Sequence, residues 1–159
     1  MSLLGAALLF GGSAMLFLYY KSYLSASERE CRGYLSLIEF LEGRVSCYLS
    51  PINEAVLDFE SEVLFECGFL KAAREVGLKE AFAQAKQKSR MPSDAVGVVE
   101  ELFSGLGRGY LDSEVRAMDL SIKKLRRICE REAAQMASRV KIAGALIFAL
   151  AVGTLLLFI

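Results

Sequence analysis

The 159-residue chain carries 19 basic and 19 acidic side chains, no histidine, and 54% apolar residues. Every one of those charges lies between Lys21 and Lys141, so the neutral total hides a charged middle fenced by two uncharged ends. That division argues against a nucleic-acid-binding protein, a disordered tail or a simple secreted enzyme. The missing histidine removes most zinc sites, imidazole acid–base chemistry and Ser-His or Cys-His nucleophiles.

The first predicted element is the uncharged stretch Leu3–Tyr20, matched at the other end by Ile142–Ile159, each 18 residues long. At 1.5 Å per residue a helix of that length reaches about 27 Å, close to one bilayer core. Both are expected to be transmembrane helices. Tyr19, Tyr20 and Tyr23 suit a membrane–water interface. A cleaved signal peptide is the alternative for the first, with small residues at Ser25 and Ser27. Against it stand the missing basic n-region and an apolar run longer than an h-region. Lys and Arg crowd the inner flanks (Lys21, Arg29, Arg32, then Lys123 to Lys141) and are absent from the outer ones, so the middle is expected to face the cytoplasm. Small residues at four-residue steps, Ala7 and Gly11, then Ala145, Ala149 and Gly153, suit close packing of membrane helices, within this chain or with a partner.

The middle reads as helices throughout. Leu24, Cys31, Tyr34, Leu35, Ile38, Leu41, Val45 and Tyr48 recur at helical spacing. Ser50-Pro51 supplies an N-cap and a proline suited to a first turn. The second helix carries Ile52, Ala55, Val56, Phe59, Val63 and Cys67 on one face. Gly68 and Gly77 bracket a short third helix with Phe69, Leu70 and Ala73. A fourth runs from about Leu78 to Lys88. Met91-Pro92-Ser93 breaks the chain, with Ser93 expected to cap a fifth helix bearing Val96, Val99, Leu102 and Phe103.

Gly105-Leu106-Gly107-Arg108-Gly109 follows no strand and is closed by no Lys-Ser/Thr, so it reads as a turn rather than a phosphate cradle. Asp112 is expected to cap a last helix whose seam is Val115, Met118, Ile122, Leu125 and Cys129. No breaker interrupts residues 113–159, so that helix is expected to run on into the second span. The four cysteines, 31, 47, 67 and 129, each lie in an apolar helical pattern and read as buried free thiols, with disulfides in an oxidising space as the alternative.

Charge is segregated along the middle. Glu54, Asp58, Glu62 and Glu66, four apart, form an acidic stripe and a candidate partner interface. Lys123, Arg127 and Arg131, also four apart, form a basic stripe suited to anionic lipid or a partner. The plain alternative is two solvated faces, or two helices of one bundle facing each other. No motif frames the carboxylates for catalysis, and no cofactor, metal, nucleic acid or small-molecule substrate is expected.

Taken in order, several segments resemble the stage III sporulation protein AB family. These are Leu4-Gly5-Ala6, Tyr34 to Glu42, Leu49-Ser50-Pro51-Ile52-Asn53-Glu54-Ala55-Val56, Gly77-Leu78-Lys79-Glu80-Ala81-Phe82, Leu106-Gly107 and Lys141-Ile142-Ala143-Gly144. Phe82 stands where that family usually has tryptophan. The resemblance implies a helical bundle similar to the cytoplasmic domains of F-type platform proteins of type II secretion. It also implies a place in the channel between mother cell and forespore, beside a secretion-type ATPase.

The expected architecture is therefore all-α. An antiparallel helical bundle, 21–141, is flanked by transmembrane helices at 1–20 and 142–159, the last bundle helix continuous with the second span. The expected role is a non-enzymatic membrane scaffold in the mother-cell membrane. Its expected partners are a secretion-type ATPase, other membrane proteins of the same sporulation complex and the lipid bilayer. A generic membrane-tethered adaptor, or a secreted binding module if the first segment is cleaved, is the alternative.

Overall fold

In a computed structural model, the backbone is described for residues 3–48, 51–107 and 109–157. Side chains are described for the same residues except 3–10, 48, 137, 148, 150, 151 and 154–157. Among the described residues all regular structure is helical: α1 Leu3–Tyr48, α2 Ile52–Asp58, α3 Glu62–Glu66, α4 Phe69–Val76, α5 Leu78–Ala85, α6 Ser93–Gly105 and α7 Leu111–Leu157. The chain divides into two compact units, one of residues 27–131, the other of residues 1–26 with 132–159.

The 27–131 unit is a helical bundle. Helix α1 contributes Cys31, Tyr34, Leu37, Ile38, Leu41 and Val45, all buried, at the three- and four-residue steps that put them on one face. Helix α7 contributes Met118, Ile122, Leu125 and Cys129, also buried. The Cys31–Cys129 disulfide and the Glu39–Arg126 pair show that the two run antiparallel, because the α7 partner number falls as the α1 number rises. Between them sits an aromatic cluster. The Tyr34 ring meets Phe69 edge-on at 5.0 Å and Phe82 at 5.4 Å, and Phe103 stacks on Phe69 at 5.9 Å. Fully burying side chains of this size contributes about 1.5–3 kcal/mol each. Phe82, 1% exposed, packs edge-on against Tyr34, Phe69 and Phe103.

The expected second helix is broken. Phe59 takes an extended conformation, and Ser61, extended as well, caps α3 by accepting a hydrogen bond from the Leu64 N–H. The end of α2 is held from outside. Arg74 on α4 donates to the carbonyls of Leu57 and Phe59, oxygens a helix C-terminus leaves without partners. The break re-aims the chain. Leu64 becomes fully buried, whereas an unbroken helix over this stretch would have pointed Val63 and Cys67 inward; Cys67 is exposed.

Gly68 (φ 80°) and Gly77 (φ 90°) end α3 and α4 as expected, the left-handed backbone being free of penalty only for glycine. Three expected caps differ. Pro51 is the residue before α2 rather than its first, and Ser50 lies outside the described residues. Pro92, not Ser93, precedes α6, and Ser93 makes its hydroxyl bond to Asp94. At α7 the Tyr110 carbonyl accepts from the N–H groups of Ser113 and Glu114, and Asp112 sits inside the first turn.

The cysteines depart from expectation more sharply. Cys31 and Cys129 are buried but joined, Cα atoms 6.2 Å apart, a separation ordinary for a disulfide. Cys47 and Cys67 are free thiols and exposed.

In the other unit, α1 and α7 contribute their terminal portions. A side chain added at Gly144 would meet the Phe17 ring at 3.4 Å, so ring and glycine are in van der Waals reach. Arg139 reaches back along its own helix to Gln135, at 2.8 Å, and Glu132. Among the described residues no helix is long and apolar enough to cross a membrane. The expected spans 3–20 and 142–159 lie partly outside that description, since many of their side chains do.

Candidate interaction surface

The break at residues 59–61 divides the acidic stripe between two helices. Glu54 lies in the first turn of α2 and Asp58 at its end, while Glu62 and Glu66 are the two ends of α3. They no longer share one helical face at four-residue spacing. Asp58 is engaged by Arg44 of α1. Glu54, Glu62 and Glu66 are exposed, with Glu60 in the connector beside them, and none has an ion-pair partner among the described residues. Two large apolar side chains stand open in their midst, Leu57 at 54% exposure and Phe65 at 62%. Exposed apolar groups beside carboxylates without ion pairs among the described residues make this face a candidate contact surface.

The basic stripe is largely spoken for. Lys123 pairs with Asp119 one turn back at 2.7 Å, and Arg131 pairs with Asp94 of α6 at 2.7 Å. Arg126, between them, crosses to Glu39 of α1 at 2.6 Å. Arg127 is exposed and has no ion pair among the described residues. The hydrogen bond and charge of Arg131 hold the Asp94 carboxyl below the usual carboxylate range, and Glu39 does the converse to Arg126, raising its guanidinium.

At the end of the bundle away from the disulfide lies a cleft of about 540 Å³. Val45, Ile52, Leu78 and Phe103 furnish its apolar wall, and Glu80 and Glu114 its acidic one. The glycine turn forms one lip. Gly107 is left-handed (φ 79°), and its N–H, at 2.7 Å, and that of Gly109, at 3.2 Å, donate to Glu114 Oε1. The turn expected from the glycines is thus present, and a carboxylate from α7 already fills the position a phosphate would need. Nothing in the spacing of Gly107, Gly109 and Glu114 announced that contact, although a glutamate in the first turn of a helix after a glycine loop is a reasonable signal for it.

Deeper in, burial pushes the Tyr34 hydroxyl far above the usual phenol range and also raises the neighbouring Cys67 thiol. The Tyr34 hydroxyl makes no hydrogen bond of good geometry. Of the membrane-packing candidates, Gly11, Ala145, Ala149 and Gly153 are exposed, and the Ala7 side chain lies outside the described residues. Among the described residues no neighbour lies within 4 Å of a side chain added at Gly11 or Gly153, whereas one added at Gly144 would meet the Phe17 ring.

Comparison with curated proteins returned no match, and comparison with solved structures returned none either. The family model for stage III sporulation protein AB matches residues 2–159. With that match over a helical bundle of the expected kind, the chain belongs to the stage III sporulation protein AB family and has a sporulation-related role.

Proposed function

We propose that the chain is a non-enzymatic platform component of a secretion-like channel complex between mother cell and forespore, docking a secretion-type ATPase through α2 and α3. The observation that carries this reading is the open pair Leu57 and Phe65 among the unpaired carboxylates Glu54, Glu60, Glu62 and Glu66. Apolar anchors set in a charged rim give a partner both affinity and register. The uncharged segments 3–20 and 142–159 serve in this reading as membrane spans, and the Lys/Arg bias beside them sets the bundle on the cytoplasmic side of the mother-cell membrane.

The test is a photo-cross-linker at position 65 in the source organism. Cross-linking to the ATPase, lost in Glu62→Lys/Glu66→Lys while the bundle keeps its circular dichroism, is the expected result. Asp58 is left intact because its charge is tied to Arg44. Unchanged cross-linking in the double variant, or normal spore yield after deletion of the gene, would sink the reading.

A second reading has one specific observation in its favour. The Cys31–Cys129 disulfide suits an oxidising compartment, which supports a reading with the bundle across the membrane from the cytoplasm, as for a chain whose first segment directs export. Acid trapping of whole cells followed by alkylation of free thiols in the denatured protein decides between the two. Modified Cys31 and Cys129 support the cytoplasmic placement, and protected ones the other.

A further inference from the structure

We propose that the cleft at the end of the bundle is a self-assembly socket, filled by Leu120 of a second copy of this chain. The proposal goes beyond the ATPase-docking reading and, of its carboxylates, shares only Glu54 with it.

The socket is apolar inside and acidic at its edge. Val45 and Phe103 are nearly inaccessible, while Val76 and Leu111 at the mouth are 49% and 43% exposed. Glu80 and Glu114 line it, and Glu54, Glu75 and Asp112 are next in sequence to lining residues; the bases there are Lys79 in the lining and, next in sequence, Arg44, which pairs with Asp58, and Arg108. None of the five carboxylates has an ion-pair partner among the described residues. A volume of about 540 Å³ is pocket-sized, yet no set of three potential metal ligands converges among the described residues, and the loop N–H groups are already taken by Glu114. An anion is repelled by this edge. What fits is an apolar side chain carried between cations.

The chain itself presents such a group. Leu120 on α7 is 58% exposed, although the seam residues around it, Met118 and Ile122, are buried. Arg116, Lys124 and Arg127 lie four residues before it and four and seven after it, all on the same face of the helix and all exposed. Unlike Lys123, Arg126 and Arg131, these three have no ion pair among the described residues. Carboxylates outnumber bases in and beside the apolar hollow, and three cations without ion pairs among the described residues flank the apolar Leu120, so the two patches are complementary in charge. With no exposed strand edge among the described residues, a helix laid on the groove is the available mode of docking. Cleft and knob are different patches of one surface, so the contact either closes reciprocally as a dimer or repeats head to tail.

The experiment uses the full-length chain in membranes of the source organism, with p-benzoylphenylalanine in place of Asn53, an exposed residue lining the cleft. Irradiation is expected to give a cross-linked homodimer whose linked peptide, by mass spectrometry, lies within residues 111–127. Leu120→Asp should lower the yield about tenfold or more, the effect of losing an interface anchor. Glu80→Lys should lower it too, and Lys124→Glu added to Glu80→Lys should restore part of it. Leu120 and Lys124 are exposed, so these changes leave the bundle folded, which the thermal midpoint checks. No homodimer, a homodimer indifferent to Leu120→Asp, or cross-linking to a different protein would overturn the proposal. The ATPase cross-link from position 65 is read in the same Leu120→Asp strain, so failure of one proposal is distinguishable from failure of the other.

Discussion

Gly33 of α1 and Leu64 of α3 touch so closely that a side chain at 33 would start 3.3 Å from two Leu64 carbons. Leu64 is fully buried and so has little room to withdraw. Gly43, three turns further along the same helix, meets nothing within 4 Å.

The two glycines should therefore answer differently to substitution. Gly33→Val overpacks the α1–α3 contact and is expected to destabilise the bundle by about 1–3 kcal/mol. Leu64→Ala empties it and should cost about 2–5 kcal/mol. Gly43→Ala should stabilise by up to about 1 kcal/mol, the helix-propensity difference. Urea midpoints of the three variants, one shifted up and two down, check the assignment.

The disulfide makes a prediction of its own. Linking residues 98 apart removes denatured-state entropy worth roughly 4–5 kcal/mol in the chain-entropy model. Cys31→Ala/Cys129→Ala should lower the urea midpoint of the oxidised protein, and added dithiothreitol should then have no further effect. A variant as stable as the oxidised parent would show that the bond holds nothing the core does not already hold.

Glu114 should matter more to its loop than to the bundle. Glu114→Ala frees two backbone N–H groups, at Gly107 and Gly109, which water can reach, and is expected to cost about 1 kcal/mol. Amide exchange at those two glycines should quicken while exchange at Leu125, in the core, stays slow.

Acid should act on Asp94 late. Its carboxyl is depressed by Arg131, so the folded form binds this proton less readily than the unfolded form does. The resulting stabilisation is present above the ordinary aspartate range and is lost as pH falls through the depressed value. In a carbon-detected titration Asp94 should inflect below an ordinary aspartate, and Arg131→Gln should move the inflection up. An unmoved inflection would remove the Arg131 pair as its cause.

What the sequence made legible was periodic. The buried residues of α1, α4 and α7 follow from spacing, because a helix has to turn its apolar side inward, and the glycine stops at 68 and 77 follow from the backbone glycine allows. The break between α2 and α3 was not legible, since nothing local to residues 52–67 forbids one long helix. The deciding contacts come from afar: Arg74 capping the carbonyls of Leu57 and Phe59, and Gly33 making room for Leu64. The disulfide was hidden for the same reason, its two sulfurs being brought together only by antiparallel packing of the first and last helices. Of the charged candidates, position alone separated paired from unpaired. Lys123, Arg127 and Arg131 look alike in sequence, and in the fold Arg127 alone of the three is without an ion pair among the described residues.

The Cys31–Cys129 bond lies near both ends of the 27–131 unit, close to where α1 enters it and α7 leaves it. Tension applied between the two termini therefore passes from one long helix to the other through a covalent link and bypasses the chain between them. The helices from Arg32 to Ile128 carry none of that load. While the bond stands, the covalent path spares the chain between the two cysteines; once it is reduced, the same pull passes through the helices that pack the aromatic core.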